Sequence, residues 1–72
     1  MTSITKRMRD LREDHDKLQK EVAAALKMSQ QQYQQYESGK VKPSVDLITS
    51  LAIYYNVSTD YILGITDNPN RA

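Results

Sequence analysis

The chain predicts an all-α fold of five short helices, and three observations carry that expectation. Apolar residues recur at spacings of three and four rather than two, serine opens three of the periodic segments at Ser29, Ser44 and Ser58, and Gly39 and Gly64 close two of them. No stretch alternates in the manner of a strand, and no segment repeats.

Ile4, Met8, Leu11 and His15 recur at spacings of four, three and four, with Lys6, Arg7, Arg9, Asp10, Glu13 and Asp14 filling the opposite side. This predicts an amphipathic first helix that ends near Asp14 or His15. A second helix carries Val22, Ala23 and Leu26 on one face. Its start falls between Lys17 and Gln19, because Asp16 with Gln19 has the form of a D-x-x-Q cap while Leu18 is a poor N-cap.

Leu26-Lys27-Met28-Ser29 leaves room only for a tight turn, so the second and third helices cross as a helix-turn-helix. The third helix starts at Ser29, where Gln32 completes an S-x-x-Q capping box and Met28 and Tyr33 form a hydrophobic staple. It stops at Gly39, whose left-handed conformation suits a C′ position, and Lys40 to Pro43 make a basic connection. At about 100° per residue, Tyr33 and Tyr36 share one face of this helix. Gln31, Gln34, Gln35 and Ser38 fall on the other, Gln32 and Glu37 lie on the flanks, and Gln30 projects forward from the first turn.

Ser44 caps a fourth helix in which Leu47, Ile48, Leu51, Ala52 and Tyr55 form a broad apolar stripe ending near Asn56, the pattern of a central core helix. Ser58 caps a short fifth helix, with Val57 and Ile62 as the staple and Gly64 as the stop. Ile65 to Ala72, containing Asp67-Asn68-Pro69-Asn70, reads as a turn and a frayed tail. A single domain over residues 1–72 is expected, with its core at about 4–64 and a tail at 65–72.

A chain of 72 residues buries only about 60% of the surface its unfolded form exposes, so stability is modest. The sequence has no cysteine, which excludes a disulfide scaffold, a thiol nucleophile and a cysteine-based zinc site. No apolar run approaches the roughly 20 residues of a membrane span, and the N-terminus lacks the apolar stretch of a signal peptide. A cytoplasmic location without a membrane partner is expected. Net charge is +1, but its distribution is uneven: nine basic and six acidic side chains up to Lys42, then one arginine against three aspartates. The N-terminal part is the better face for an anion, while a solvated surface with scattered charge explains the asymmetry as well and on charge alone is favoured. His15, alone and without cysteine nearby, reads as a helix-end or packing residue rather than a metal ligand. Tyr54, Tyr55 and Tyr61 read as core or dimer-contact aromatics. No nucleophile–base pair and no phosphate-cradling glycine loop is present, so neither catalysis, a cofactor, a metal nor a small-molecule ligand is expected.

Gln19 to Ser38 resemble the helix-turn-helix of the phage repressor and Cro family, also called the XRE family of bacterial regulators. That motif wants apolar residues where this chain has Val22, Leu26, Met28, Tyr33 and Tyr36, and a small residue at Ala23, where the two helices nearly touch. The resemblance continues through Glu37-Ser38-Gly39-Lys40, Pro43-Ser44, Leu51-Ala52, Asn56-Val57-Ser58 and Asp60-Tyr61-Ile62-Leu63-Gly64. Two departures stand out: Lys27 occupies the turn position usually held by glycine, and Lys17-Leu18 replace the usual leucine and serine or threonine. The first implies a left-handed lysine, at a cost of roughly 1 kcal/mol.

The resemblance implies a compact five-helix lambda-repressor-like domain with the third helix in the major groove of DNA. Gln30, Gln31 and Gln35 then occupy base-reading positions, and a glutamine amide can pair in bidentate fashion with adenine N6 and N7. Gln34 faces outward and serves either a base or a phosphate, while Gln32 has a capping role. Gln19, beside the free N–H groups of the second helix, resembles a phosphate contact, with Ser38, Lys40 and Lys42 as further backbone contacts. Arg12 and Glu37 resemble a structural ion pair joining the first helix to the third. The implied function is that of a sequence-specific regulator of transcription on double-stranded DNA. The expected form is a repressor working as a homodimer on a palindromic operator, with Tyr61, Ile62 and Leu63 of the fifth helix and the following Ile65 as the dimer surface. Two alternatives remain beside it: an antitoxin or other protein-interaction module of the same fold, and an excised DNA-binding domain of a longer regulator. For the glutamines alone the competing reading is an ordinary solvated helix face.

Overall fold

The helix starts follow from side chains that satisfy backbone N–H groups left over there. The computed structural model describes residues 3–70, which form α1 (Ile4–Asp14), α2 (Gln19–Ala25), α3 (Gln30–Glu37), α4 (Val45–Tyr55) and α5 (Thr59–Leu63). No strand occurs among the described residues. Four of the five helices open on a serine whose hydroxyl accepts a backbone N–H three residues on: Ser3 from Lys6, Ser29 from Gln32, Ser44 from Leu47 and Ser58 from Tyr61. Such a cap satisfies one of the four N–H groups a helix start leaves without a partner. α4 and α5 end on left-handed residues, Asn56 at φ 57° and Gly64 at φ 79°.

α2 is the exception. It starts at Gln19 with Leu18 as the N-cap, and the missing side-chain oxygen is compensated by Glu21, whose carboxylate accepts the Leu18 N–H at 2.9 Å. The Asp16–Gln19 cap does not form; Asp16 instead takes φ 54° in the turn that leaves α1.

The apolar stripes converge on one core of Met8, Leu11, Val22, Ala23, Tyr33, Leu47, Ile48, Leu51, Ala52, Tyr55, Val57 and Ile62. α2 packs on α3, α4 on α5, and α1 spans both α3 and α5. Val57 and Ile62 are both buried, as a staple requires.

Three expectations change. Arg7, placed by periodicity on the solvated side of α1, is buried at 7% exposure, with its guanidinium 3.9 Å from the Tyr61 ring centroid and Nη2 donating to Asp67 at 3.1 Å. A wheel position next to the apolar stripe suits an arginine whose stem is apolar and whose planar head stacks on an aromatic face. The segment after α5 is tied down rather than frayed as far as Asn70: Ser58 N–H donates to the Pro69 carbonyl at 3.0 Å, and Asn68 and Asn70 N–H groups are accepted by Thr66 and Asn68 side chains. Residues 71 and 72 of the expected tail lie outside the described residues. Finally, Ile62 is fully buried, so α5 does not present Tyr61, Ile62, Leu63 and Ile65 as one surface; Ile65 is exposed, as are Val45, Ile53 and Tyr54 on α4.

Candidate nucleic-acid interface

The turn between α2 and α3 sets how α3 is presented. α2 ends at Leu26, after which Lys27 at φ 61° reverses the chain, and Met28 N–H returns to the Ala23 carbonyl at 3.0 Å. Ala23 is 2% exposed, because a larger side chain would push the two helices apart. Tyr33 is fully buried and Tyr36 half-buried, so α3 turns its tyrosines to the core and its glutamines outward. Gln30, Gln31, Gln32 and Gln34 are exposed and Gln35 is half-buried. None of these five amides has a protein hydrogen-bond partner among the described residues. The Ser29 hydroxyl accepts Gln32 N–H at 3.0 Å, but the Gln32 amide does not return the bond, so the box is half formed.

Behind α3, Arg12 and Glu37 meet in a fork: Nε donates to Oε2 at 3.0 Å and Nη2 to Oε1 at 2.9 Å. Nη1 donates to the Lys17 carbonyl at 3.0 Å, which ties the α1–α2 turn to the same group. Both side chains are largely buried, at 14% and 5% exposure. Burial by itself would raise the Glu37 carboxyl, but the Arg12 and Gln19 hydrogen bonds and the Arg12 charge outweigh it and hold the carboxyl below its ordinary value. Burial pushes the Tyr33 phenol upward, with the Glu37 charge adding to it. Bidentate pairing fixes orientation as well as distance, so α3 is held against α1 and α2 at a set angle.

Of the backbone-contact candidates, Gln19 and Ser38 share a cleft with this pair. Gln19 is half-buried, and its Nε2 donates to Glu37 Oε1 at 3.3 Å, which commits part of the amide inside the protein. The Ser38 hydroxyl donates to the Gln35 carbonyl at 3.1 Å. Gly39, at φ 86°, lets the chain leave α3, and Lys40 and Lys42 then stand exposed with no ion pair among the described residues. Arg9 of α1, which the sequence places only among the charges of the polar side of that helix, shares a cleft with Gln19, Gln34 and Ser38.

The order of elements, the buried small residue at the crossing and the outward polar face of α3 are those of a helix-turn-helix, and the family model with that description matches residues 8–62. The chain belongs to the helix-turn-helix family. Within it, the chain resembles the uncharacterized HTH-type transcriptional regulator YobD of Bacillus subtilis (strain 168), with 39% identity over 64 residues, covering 89% of this chain and 57% of YobD. It also resembles the HTH-type transcriptional regulator ImmR of the same organism, with 37% identity over 62 residues, covering 86% of this chain and 49% of ImmR. The chain thus spans about half the length of the curated relatives it matches. These helix-turn-helix relatives are transcriptional regulators by name, and no helix of the described residues is long and apolar enough to cross a membrane.

Proposed function

We propose that this helix-turn-helix protein is a cytoplasmic, sequence-specific repressor that inserts α3 into the major groove of double-stranded DNA and works as a homodimer on a palindromic operator. The observation that carries the proposal is the row of unpartnered glutamine amides on a helix locked from behind by Arg12 and Glu37. Each amide offers one acceptor and two donors, the set that pairs with an adenine edge, and each good contact discriminates by about 1–3 kcal/mol. Gln30, Gln31 and Gln35 read bases, with Gln34 serving either a base or a phosphate. Gln19, Ser38, Lys40 and Lys42 hold the backbone, Gln19 with the part of its amide that Glu37 leaves open. Repression follows from occupancy, and a two-fold operator places half-sites about 34–36 Å apart.

Binding assays with a panel of duplexes test this division of roles. Gln30→Ala changes which bases are preferred, whereas Lys40→Gln and Lys42→Gln weaken all duplexes by a similar factor and flatten the dependence on salt. A uniform loss for Gln30→Ala contradicts its role in reading bases.

A further inference from the structure

α1 carries four cations, and three of them are already spoken for. Lys6 pairs with Asp10 at 2.6 Å, Arg7 with Asp67 at 3.1 Å, and Arg12 with Glu37 at 2.9 Å. Arg9 has no carboxylate within pairing distance among the described residues, and it is exposed. It lines an open cleft with Arg12, Gln19, Gln34, Glu37 and Ser38, in which the Arg12 and Glu37 charges cancel each other. The uncompensated charge of the cleft is therefore that of Arg9.

A second observation fixes where this cleft lies. Thr5, one helical turn before Arg9, faces the end of α3: a Cβ added at Gly39 would stand 3.9 Å from Thr5 Cγ2. The Thr5–Arg9 side of α1 thus runs along the C-terminal end of α3, where the chain turns into the exposed Lys40 and Lys42. Arg9, Gln19, Gln34 and Ser38 form one polar wall beside the glutamine face. An arginine presents a planar fork matched to phosphate oxygens, and an unpaired one loses no internal partner on binding.

From this arrangement we propose that Arg9 grips a phosphate of the DNA backbone, so that the duplex is held from α1 as well as from α2 and the loop after α3. The proposal rests on the DNA-binding reading above and adds a contact to it. Arg9 contributes affinity without base preference, because a phosphate carries no sequence information. It also fixes register, since its cleft is shared with Gln34 of the reading helix.

The test is a salt titration of duplex binding, by fluorescence anisotropy, for the full chain and for Arg9→Gln, Arg9→Lys and Lys6→Gln. Losing one phosphate contact lowers the steepness of log affinity against log salt by about 0.9, or about 3.5-fold in affinity change between roughly 50 and 200 mM salt. Arg9→Gln shows that loss equally on all duplexes, Arg9→Lys retains most of the slope, and Lys6→Gln, which removes the same charge from a paired site, leaves the slope unchanged. Thermal unfolding of Arg9→Gln stays at the parent temperature, because the side chain is exposed and unpaired. Neutral methylphosphonate placed at single positions gives an independent readout: one position weakens the parent protein and not Arg9→Gln. Equal losses for Arg9→Gln and Lys6→Gln overturn the proposal in favour of a bulk charge effect. An unchanged slope for Arg9→Gln, with Gln30→Ala still altering base preference, overturns the Arg9 contact alone. Failure of the parent chain to bind any duplex overturns the function and this contact together.

Discussion

Replacing Lys27 by glycine tests how the α2–α3 turn is built. Lys27 sits at φ 61°, where an L-residue brings its Cβ against the following carbonyl at roughly 1–2 kcal/mol. Glycine is free of that contact but enlarges the unfolded ensemble, which offsets about 0.4–1 kcal/mol. The lysine side chain is exposed and lines a groove with Ser50, Ile53 and Tyr54, so only slight stem packing is lost. With the middle of each range the net gain is about 0.8 kcal/mol, or about 3–6 °C in melting temperature for a domain of this size. Asn56→Gly is the comparison, since Asn56 has a similar φ of 57° but asparagine tolerates this region better, so its gain is smaller. Thermal unfolding followed by circular dichroism reads both variants. An unchanged or lower melting temperature for Lys27→Gly, or a larger gain for Asn56→Gly, refutes the strained-turn account.

Other consequences concern the groups buried behind α3. Glu37→Ala strands the Arg12 guanidinium and costs about 3 kcal/mol, the lower part of the range for breaking a buried pair because Arg12 keeps 14% exposure; denaturant unfolding measures it, and a cost under about 1 kcal/mol would assign the pair to the surface class. Because the folded state holds the Glu37 carboxyl below its ordinary value of 4.5, the unfolded chain binds the extra proton first on acidification. The pair's stability is thus full above pH 4.5 and is lost as pH falls through the depressed folded value, a loss that Glu37→Gln removes. Tyr33 and Tyr55 behave in the opposite sense: burial raises both phenols above their ordinary value of 10.0, so stability falls as the unfolded chain ionises above that pH. Denaturant midpoints measured across both pH ranges check the two signs.

Much of the fold is legible in the sequence because the decisive signals are local. Ser29, Ser44 and Ser58 each bond a group three residues away, and the tight turn between α2 and α3 follows from the four residues that separate them, whereas the left-handed Lys27 was implied by the family resemblance, which puts glycine there. What escaped depends on distant partners. The burial of Arg7 is decided by Tyr61 and Asp67, brought to it only by the packing of α1 on α5. Leu18 is the local exception: it serves as an N-cap because Glu21, three residues on, accepts its N–H, a compensation that a scan for capping side chains misses. The same contrast holds at the interface. The outward aim of the glutamines was visible as a helical period, whereas the bond from Gln19 to Glu37 and the isolation of Arg9 required knowing which carboxylates were already taken.

The central claim, that α3 reads a defined DNA sequence, is tested most directly by selecting bound sites from a library of random duplexes. The account predicts enrichment of a palindromic consensus whose half-sites are separated by about one helical turn, with adenine at positions that Gln30→Ala relaxes. Absence of enrichment over successive rounds, with duplex binding unaffected by sequence, would contradict it.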